Sequence, residues 1–160
     1  MKTKQVVGFI TAILIVELIG NIGTIFTLPA ITTWYTTLSK PAFNPPNWVF
    51  GPVWTILYAL MGIAAYLVWE RRTRNKQADA ALEVFGAQLA LNILWSLSFF
   101  GLHSPLYGLV VIVLLLAAIA LTMIRFYKIS KTAAYLLVPY LLWVAFASVL
   151  NFYVWKMNSF

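Results

Sequence analysis

Five stretches of this chain are each apolar for about twenty residues, the length a helix needs to cross a ~30 Å hydrocarbon layer. They run over roughly 5–28, 48–69, 80–101, 106–127 and 133–155. Only 9% of the 160 residues are charged and 62% are hydrophobic, whereas soluble domains carry about 25% charged residues. That leaves too little polar surface to cover a globule. The sequence predicts an all-α integral membrane bundle of five transmembrane helices, one domain over 1–160. Glycine and proline inside the runs do not disqualify them, since neighbouring helices satisfy the freed backbone groups. The first run follows Lys2 and Lys4, as the apolar part of a secretory signal peptide would. Its length and the lack of a clear small-x-small cleavage site favour a retained helix.

Charge placement gives the direction. Lys2, Lys4, Arg71, Arg72, Arg74, Lys76, Arg125, Lys128 and Lys131 fall on one side of the membrane, and only Lys40 and Lys156 on the other. The positive-inside rule then puts the amino terminus inside, and the carboxyl terminus and loop 29–47 outside. The net charge of +7 is therefore a topology signal, and nucleic acid is excluded as a partner in favour of the lipid bilayer. With no cysteine and one histidine, His103, no disulfide, thiolate site or histidine metal cluster is available. No metal and no cofactor is expected. Short connections make successive helices antiparallel neighbours. Five spans do not divide into the two inverted halves of many transporters.

Trp48, Trp69, Trp155, Tyr107, Tyr127 and Tyr135 lie at span ends, where amphipathic rings anchor in the headgroup layer. Trp54 and Trp95 lie deeper, about 9 Å inward from the outer ends of their helices, and Trp143 about 18 Å down. Indole N–H groups at depth need partners. Gln88, Asn92, Trp95 and Phe99 share one face of the third helix, and Trp54 and Tyr58 one face of the second. Trp143, Ala147 and Leu150 form a stripe on the fifth, with Asn151 at its edge. Such amides and indoles are either glue between helices or the walls of an apolar pocket with a few orienting polar groups. Glu17 sits at the centre of the first span with Asn21 one turn on. An ionisable group there is a functional candidate. There is no second buried acid for a relay. A neutral carboxyl paired with Asn21 therefore stands beside a secondary transporter that uses Glu17.

The stretch KPAFNPPNWVFGPVW, Lys40 to Trp54, holds four of the chain's seven prolines. Proline fixes its own φ and restricts the residue before it, so the path is stiff. Pro52 falls in the first turn of the second helix, where a missing N–H costs little. Trp34, Tyr35 and Phe43 add aromatic surface. The segment is either a lid over a pocket or a clamp on the helix ends.

Three blocks carry a resemblance: WYTTLSKPAFNPPNWVFGPVWTILY (34–58), GAQLALNILWSLSFFG (86–101) and VPYLLWVAFASVLNFYVWK (138–156). They resemble the translocator proteins, the TspO/MBR family, also called tryptophan-rich sensory proteins or peripheral-type benzodiazepine receptors. The likeness covers nearly all of the chain from Trp34 on; the first and fourth helices match mainly in hydrophobicity. It implies a five-helix bundle, often dimeric, that binds porphyrins such as protoporphyrin IX and synthetic isoquinoline or benzodiazepine-type ligands. Mitochondrial members also bind cholesterol, and some bacterial members promote light-dependent breakdown of protoporphyrin IX.

By resemblance, Tyr35, Pro45 and Phe50 would line the upper part of the pocket. Trp54, Tyr58, Asn92, Trp95, Trp143, Ala147 and Leu150 would form its walls. Trp54 and Trp143 match the two tryptophans associated with porphyrin breakdown, and would be catalytic on that reading. Leu150, Tyr153 and Lys156 match a short sterol pattern. Gly86 and Ala90 make a small-xxx-small pair on the third helix, where the family's homodimer interface tends to lie. Glu17 is outside the family signature. The expected function is a membrane receptor or sensor for porphyrins, with transport of them; its alternatives are photo-oxidative degradation of protoporphyrin IX and transport through Glu17. The expected location is a bacterial cell-envelope membrane, or the mitochondrial outer membrane in a eukaryote.

Overall fold

The computed structural model describes residues 3–159; Lys2, one of the basic residues used above, lies outside them. Among the described residues there is no strand, and five helical segments are long and apolar enough to cross a membrane. The all-α, five-span architecture expected from hydropathy is the one observed.

The first span is not one helix. α1 (Thr3–Asn21) stops at Ile22-Gly23, α2 (Thr24–Ile31) continues, and α3 (Trp34–Thr37) adds a single turn. Around the break, side chains compete for the helix carbonyls. Asn21 Nδ2 donates to Glu17 O at 2.8 Å, Thr24 Oγ1 to Asn21 O at 2.6 Å, and Thr27 Oγ1 to Gly23 O at 3.1 Å. A 3₁₀ turn (Asn47–Val49) leads into α4 (Phe50–Trp69). The segment expected to be loop over 29–47 is thus helical as far as Thr37, and its irregular part is 38–46.

α5 (Gln77–Ser96) runs into a π turn (Leu97–Gly101), and α6 (Pro105–Tyr127) follows. Ser104 caps α6, its Oγ accepting from the Tyr107 N–H at 3.3 Å, and Pro105 sits where its missing N–H is harmless. The fifth span is α7 (Lys131–Leu136) and α8 (Val138–Met157). They join at Leu137, just before Pro139, which lacks the N–H that a continuous helix would use.

α5 packs on α6, α6 on α8, and α1 on α4. Met61, Ala64 and Val68 of α4, Leu115 and Ile119 of α6, and Tyr140 and Val144 of α8 are fully buried. α1 meets the bundle chiefly through α4. A Cβ on Gly62 would lie 2.6 Å from Ile13 Cα, so the two backbones touch there. Nearer the break, Gly20 lies flat against the Tyr58 ring, 2.4 Å from where a Cβ would sit. Beyond the break the chain changes partner. α2 packs chiefly on the π turn, α3 and α5.

At the basic end of the bundle, Arg71 Nη1 donates to Ile129 O, tying the loop after α4 to the loop before α7. Arg72 lies over the Trp69 ring and Lys131 over the Tyr127 ring, at 4.5 Å and 5.6 Å.

Candidate functional site

Four buried polar side chains of α4, α5 and α8 form one hydrogen-bonded chain. Tyr58 Oη donates to Asn92 Oδ1 at 2.8 Å, and Asn92 Nδ2 donates to Tyr140 Oη at 3.3 Å. Tyr140 Oη in turn donates to Gln88 Oε1 at 2.8 Å. Gln88 and Asn92 are each 1% exposed. Gln88 Nε2 is the one buried side-chain atom of the described residues that ends without a partner. A second pair lies nearer the proline-loop end. Trp95 Nε1 donates to Asn151 Oδ1 at 3.1 Å, and Asn151 Nδ2 to Pro105 O at 2.7 Å. The amides flagged by their depth are therefore interhelical links, and Asn92 stands behind Tyr58.

Aromatic rings stack on this scaffold. Trp54 lies on Tyr58 at 5.3 Å, near-parallel, with Tyr140 edge-on at 6.2 Å and Trp95 at 6.4 Å. Trp54, Tyr58 and Trp95 form one wall of a cavity of about 460 Å³, bounded by α2, the end of α1, the start of α4 and the end of α5, with Tyr140 outside its lining. Tyr58 and Trp95 are buried by protein, Trp54 partly so. A smaller cavity of about 30 Å³ lies beneath Tyr35, between Phe50, Trp95, Ala147 and Leu150.

The residues expected at the site thus divide. Trp54, Tyr58 and Trp95 border the larger cavity, Tyr35, Ala147 and Leu150 the smaller, and Phe50 and Trp95 both. Asn92, Trp143 and Pro45 border neither. Trp143 packs on Phe50 at 6.1 Å and on Phe146 at 5.6 Å. The carbonyl of Pro45 accepts from Asn44 Nδ2. Leu150 is buried, while Tyr153 and Lys156 are exposed, so the three do not share one surface. Gly86 and Ala90 are exposed on α5. Glu17 is half-buried, with Asn21 Nδ2 at 3.3 Å from its Oε2.

Segment 38–46 is fastened at several points. Asn158 pairs with the backbone of Ser39 in both directions: its Nδ2 donates to Ser39 O at 2.9 Å, and its Oδ1 accepts from the Ser39 N–H at 3.0 Å. Lys40 Nζ donates to the carbonyls of Tyr35 and Leu38, each at 2.7 Å. Tyr35 Oη donates to Asn44 Oδ1 at 2.6 Å. Burial pushes the Tyr35 phenol up to about 12, so it remains a donor at physiological pH. Phe43 packs edge-on against Tyr153 and Phe146.

Tyr140 and Asn158 carry much of this arrangement, and sequence reasoning missed both. Tyr140 lies in the first turn of α8, where a tyrosine reads as an interface residue. Its signal was its position on the helix face that also carries Val144, Ala147 and Asn151.

Residues 12–156 match the model of the TspO/MBR family. The chain belongs to that family. It is 47% identical over 155 residues to the tryptophan-rich protein TspO of Archaeoglobus fulgidus, covering 97% of this chain and 99% of the relative. The protein of the same name from Chlorobaculum tepidum is 46% identical over 155 residues, 97% and 98% of the two chains. The human translocator protein is 44% identical over 126 residues, 78% of this chain and 75% of the human one. The likeness to TspO/MBR proteins read from the three sequence blocks is therefore correct, and it extends back into the first span, where the sequence match had rested on hydrophobicity. With five spans, this TspO/MBR chain is an integral, multi-pass membrane protein.

Proposed function

We propose that this protein is a membrane sensor or translocator that takes up protoporphyrin IX and related flat, hydrophobic ligands in the cavity beside Trp54. The observation that carries the reading is the placement of Trp54, Tyr58 and Trp95 around a space of about 460 Å³ with no charged residue in its lining. That volume lies within the ~300–1,000 Å³ of ordinary ligand pockets, and aromatic walls with a few polar groups are their usual chemistry. Isoquinoline and benzodiazepine-type compounds share the flat aromatic shape. The family resemblance and the name of the human relative support uptake as part of a transport or sensing cycle. On this reading the basic end faces inward, segment 38–46 covers the outer end, and two copies meet through the exposed Gly86–Ala90 face of α5.

The test is titration of protoporphyrin IX into the purified protein while tryptophan emission is followed. Saturable quenching is expected, with affinity at least tenfold weaker in Thr55→Trp, which fills the cavity from α4. Unchanged affinity in that variant would remove the cavity from the account.

Trp54 favours a second reading. Its indole borders the cavity directly, so it is placed to donate an electron to a photoexcited porphyrin, with dioxygen as the oxidant that degrades the ring. Under illumination the Soret band should decay in the wild type and persist in Trp54→Phe. Trp143, which borders neither cavity, should matter less. Equal loss in both variants would argue for a ligand pose that reaches α8.

A further inference from the structure

The larger cavity is closed at the ends and on the core side. Gly20 against the Tyr58 ring closes it toward the basic end. Asn47 Nδ2, 3.5 Å from Ile31 O, bridges α2 to the start of α4 at the other end. Trp95, Ser96 and Phe100 form its floor on α5 and the π turn. The remaining side is the seam between α2 and α4, which diverge because α2 turns to the π turn and α5 after the Ile22-Gly23 break. Leu28 on α2 and Gly51 and Thr55 on α4 border the cavity there and are exposed. From Gly51 to Tyr58 the seam runs about 10 Å along α4, well into a hydrocarbon layer.

Asn21 and the three threonines of this seam donate to their own helices. Thr24 Oγ1 donates to Asn21 O, Thr27 Oγ1 to Gly23 O, Thr55 Oγ1 to Gly51 O, and Asn21 Nδ2 to Glu17 O. Each bond is to a carbonyl three or four residues back, which lets a hydroxyl face lipid at little cost. No lysine, arginine, aspartate or glutamate lines the cavity. Segment 38–46, in contrast, is held by Asn158, Lys40, Tyr35 and Phe43.

We infer that the cavity loads sideways from the bilayer, through the seam between α2 and α4, and that segment 38–46 is a fixed cover rather than the way in. The inference rests on the ligand-binding reading above and names the source of the ligand: flat, uncharged ring systems already dissolved in lipid. A ligand with carboxylates keeps them at the headgroup layer, because the seam holds no cation to receive them.

The experiment uses the whole protein in phosphatidylcholine vesicles, mixed rapidly with vesicles carrying protoporphyrin IX, and reads tryptophan quenching against time. The association rate should follow the porphyrin's mole fraction in the bilayer rather than its total concentration. Gly51→Phe, at a position where an added Cβ meets nothing within 4 Å, should slow association at least tenfold, and so should Leu28→Trp on the opposite rim. Asn158→Ala, which unfastens the cover, should leave the rate within twofold. The inference is overturned if Asn158→Ala speeds association tenfold, or if neither rim variant slows it. Absence of saturable quenching in the wild type at equilibrium would instead sink the ligand reading itself, before any variant is compared.

Discussion

α1 lies so close to α4 that one methyl group at Gly62 would strike the Ile13 backbone. α2, beyond the Ile22-Gly23 break, stands far enough from the same helix to leave a cavity of about 460 Å³. The composition of the two halves does not explain the difference, since both are strongly apolar. What differs is where the glycines face. Gly62 and Gly20 remove side chains from the α1–α4 contact, so backbone and ring meet directly. Gly23 instead faces Ser96 on α5, 2.8 Å from where its Cβ would be, and so draws the chain after the break toward α5. Tight packing in one half and a cavity in the other follow from that choice of neighbour.

The sharpest way to break this comparison is Gly62→Leu. Its Cβ meets backbone, which cannot swing aside, so the cost should reach about 3 kcal/mol or more. A large fall in the midpoint of thermal unfolding in detergent checks it; an unchanged midpoint would mean that α1 is not held at Ile13. Gly20→Val meets a ring instead, and a ring can move. A loss of roughly 1–3 kcal/mol is expected. Displacing Tyr58 should also disturb its stack on Trp54, visible as a shift in tryptophan emission. Tyr140→Phe removes two hydrogen bonds of the buried chain without changing the packing shape, and should cost about 1 kcal/mol. Gly51→Ala, on the open side, should change stability by no more than about 0.5 kcal/mol. If Gly51→Ala and Gly62→Leu cost the same, the contrast between the halves is wrong.

Hydropathy made the five spans legible because a chain with so few charges has no other way to satisfy itself. Gln88, Asn92 and Trp95 were legible as a linked set, since an amide at that depth must find a partner. The break at Ile22-Gly23 was not. Glycine is tolerated inside membrane helices, and the residues on either side are equally apolar. Nor could spacing distinguish a cavity wall from the layer behind it. Asn92 and Tyr58 point to the same region, but Tyr58 reaches across to Gly20 and covers Asn92. Trp143 shares a helix with Ala147 yet turns to Phe50 and Phe146. These choices depend on how three helices are rotated against one another, which no single helix encodes.

The bridge between Ser39 and Asn158 joins residues 119 positions apart. Ribosomes add about 5–20 residues per second, so at least roughly 6–24 s separate the synthesis of the two partners over those 119 positions. During that interval the proline-rich segment is already made and lacks this fastening. The cover of the bundle therefore gains this fastening only after all five spans have been made.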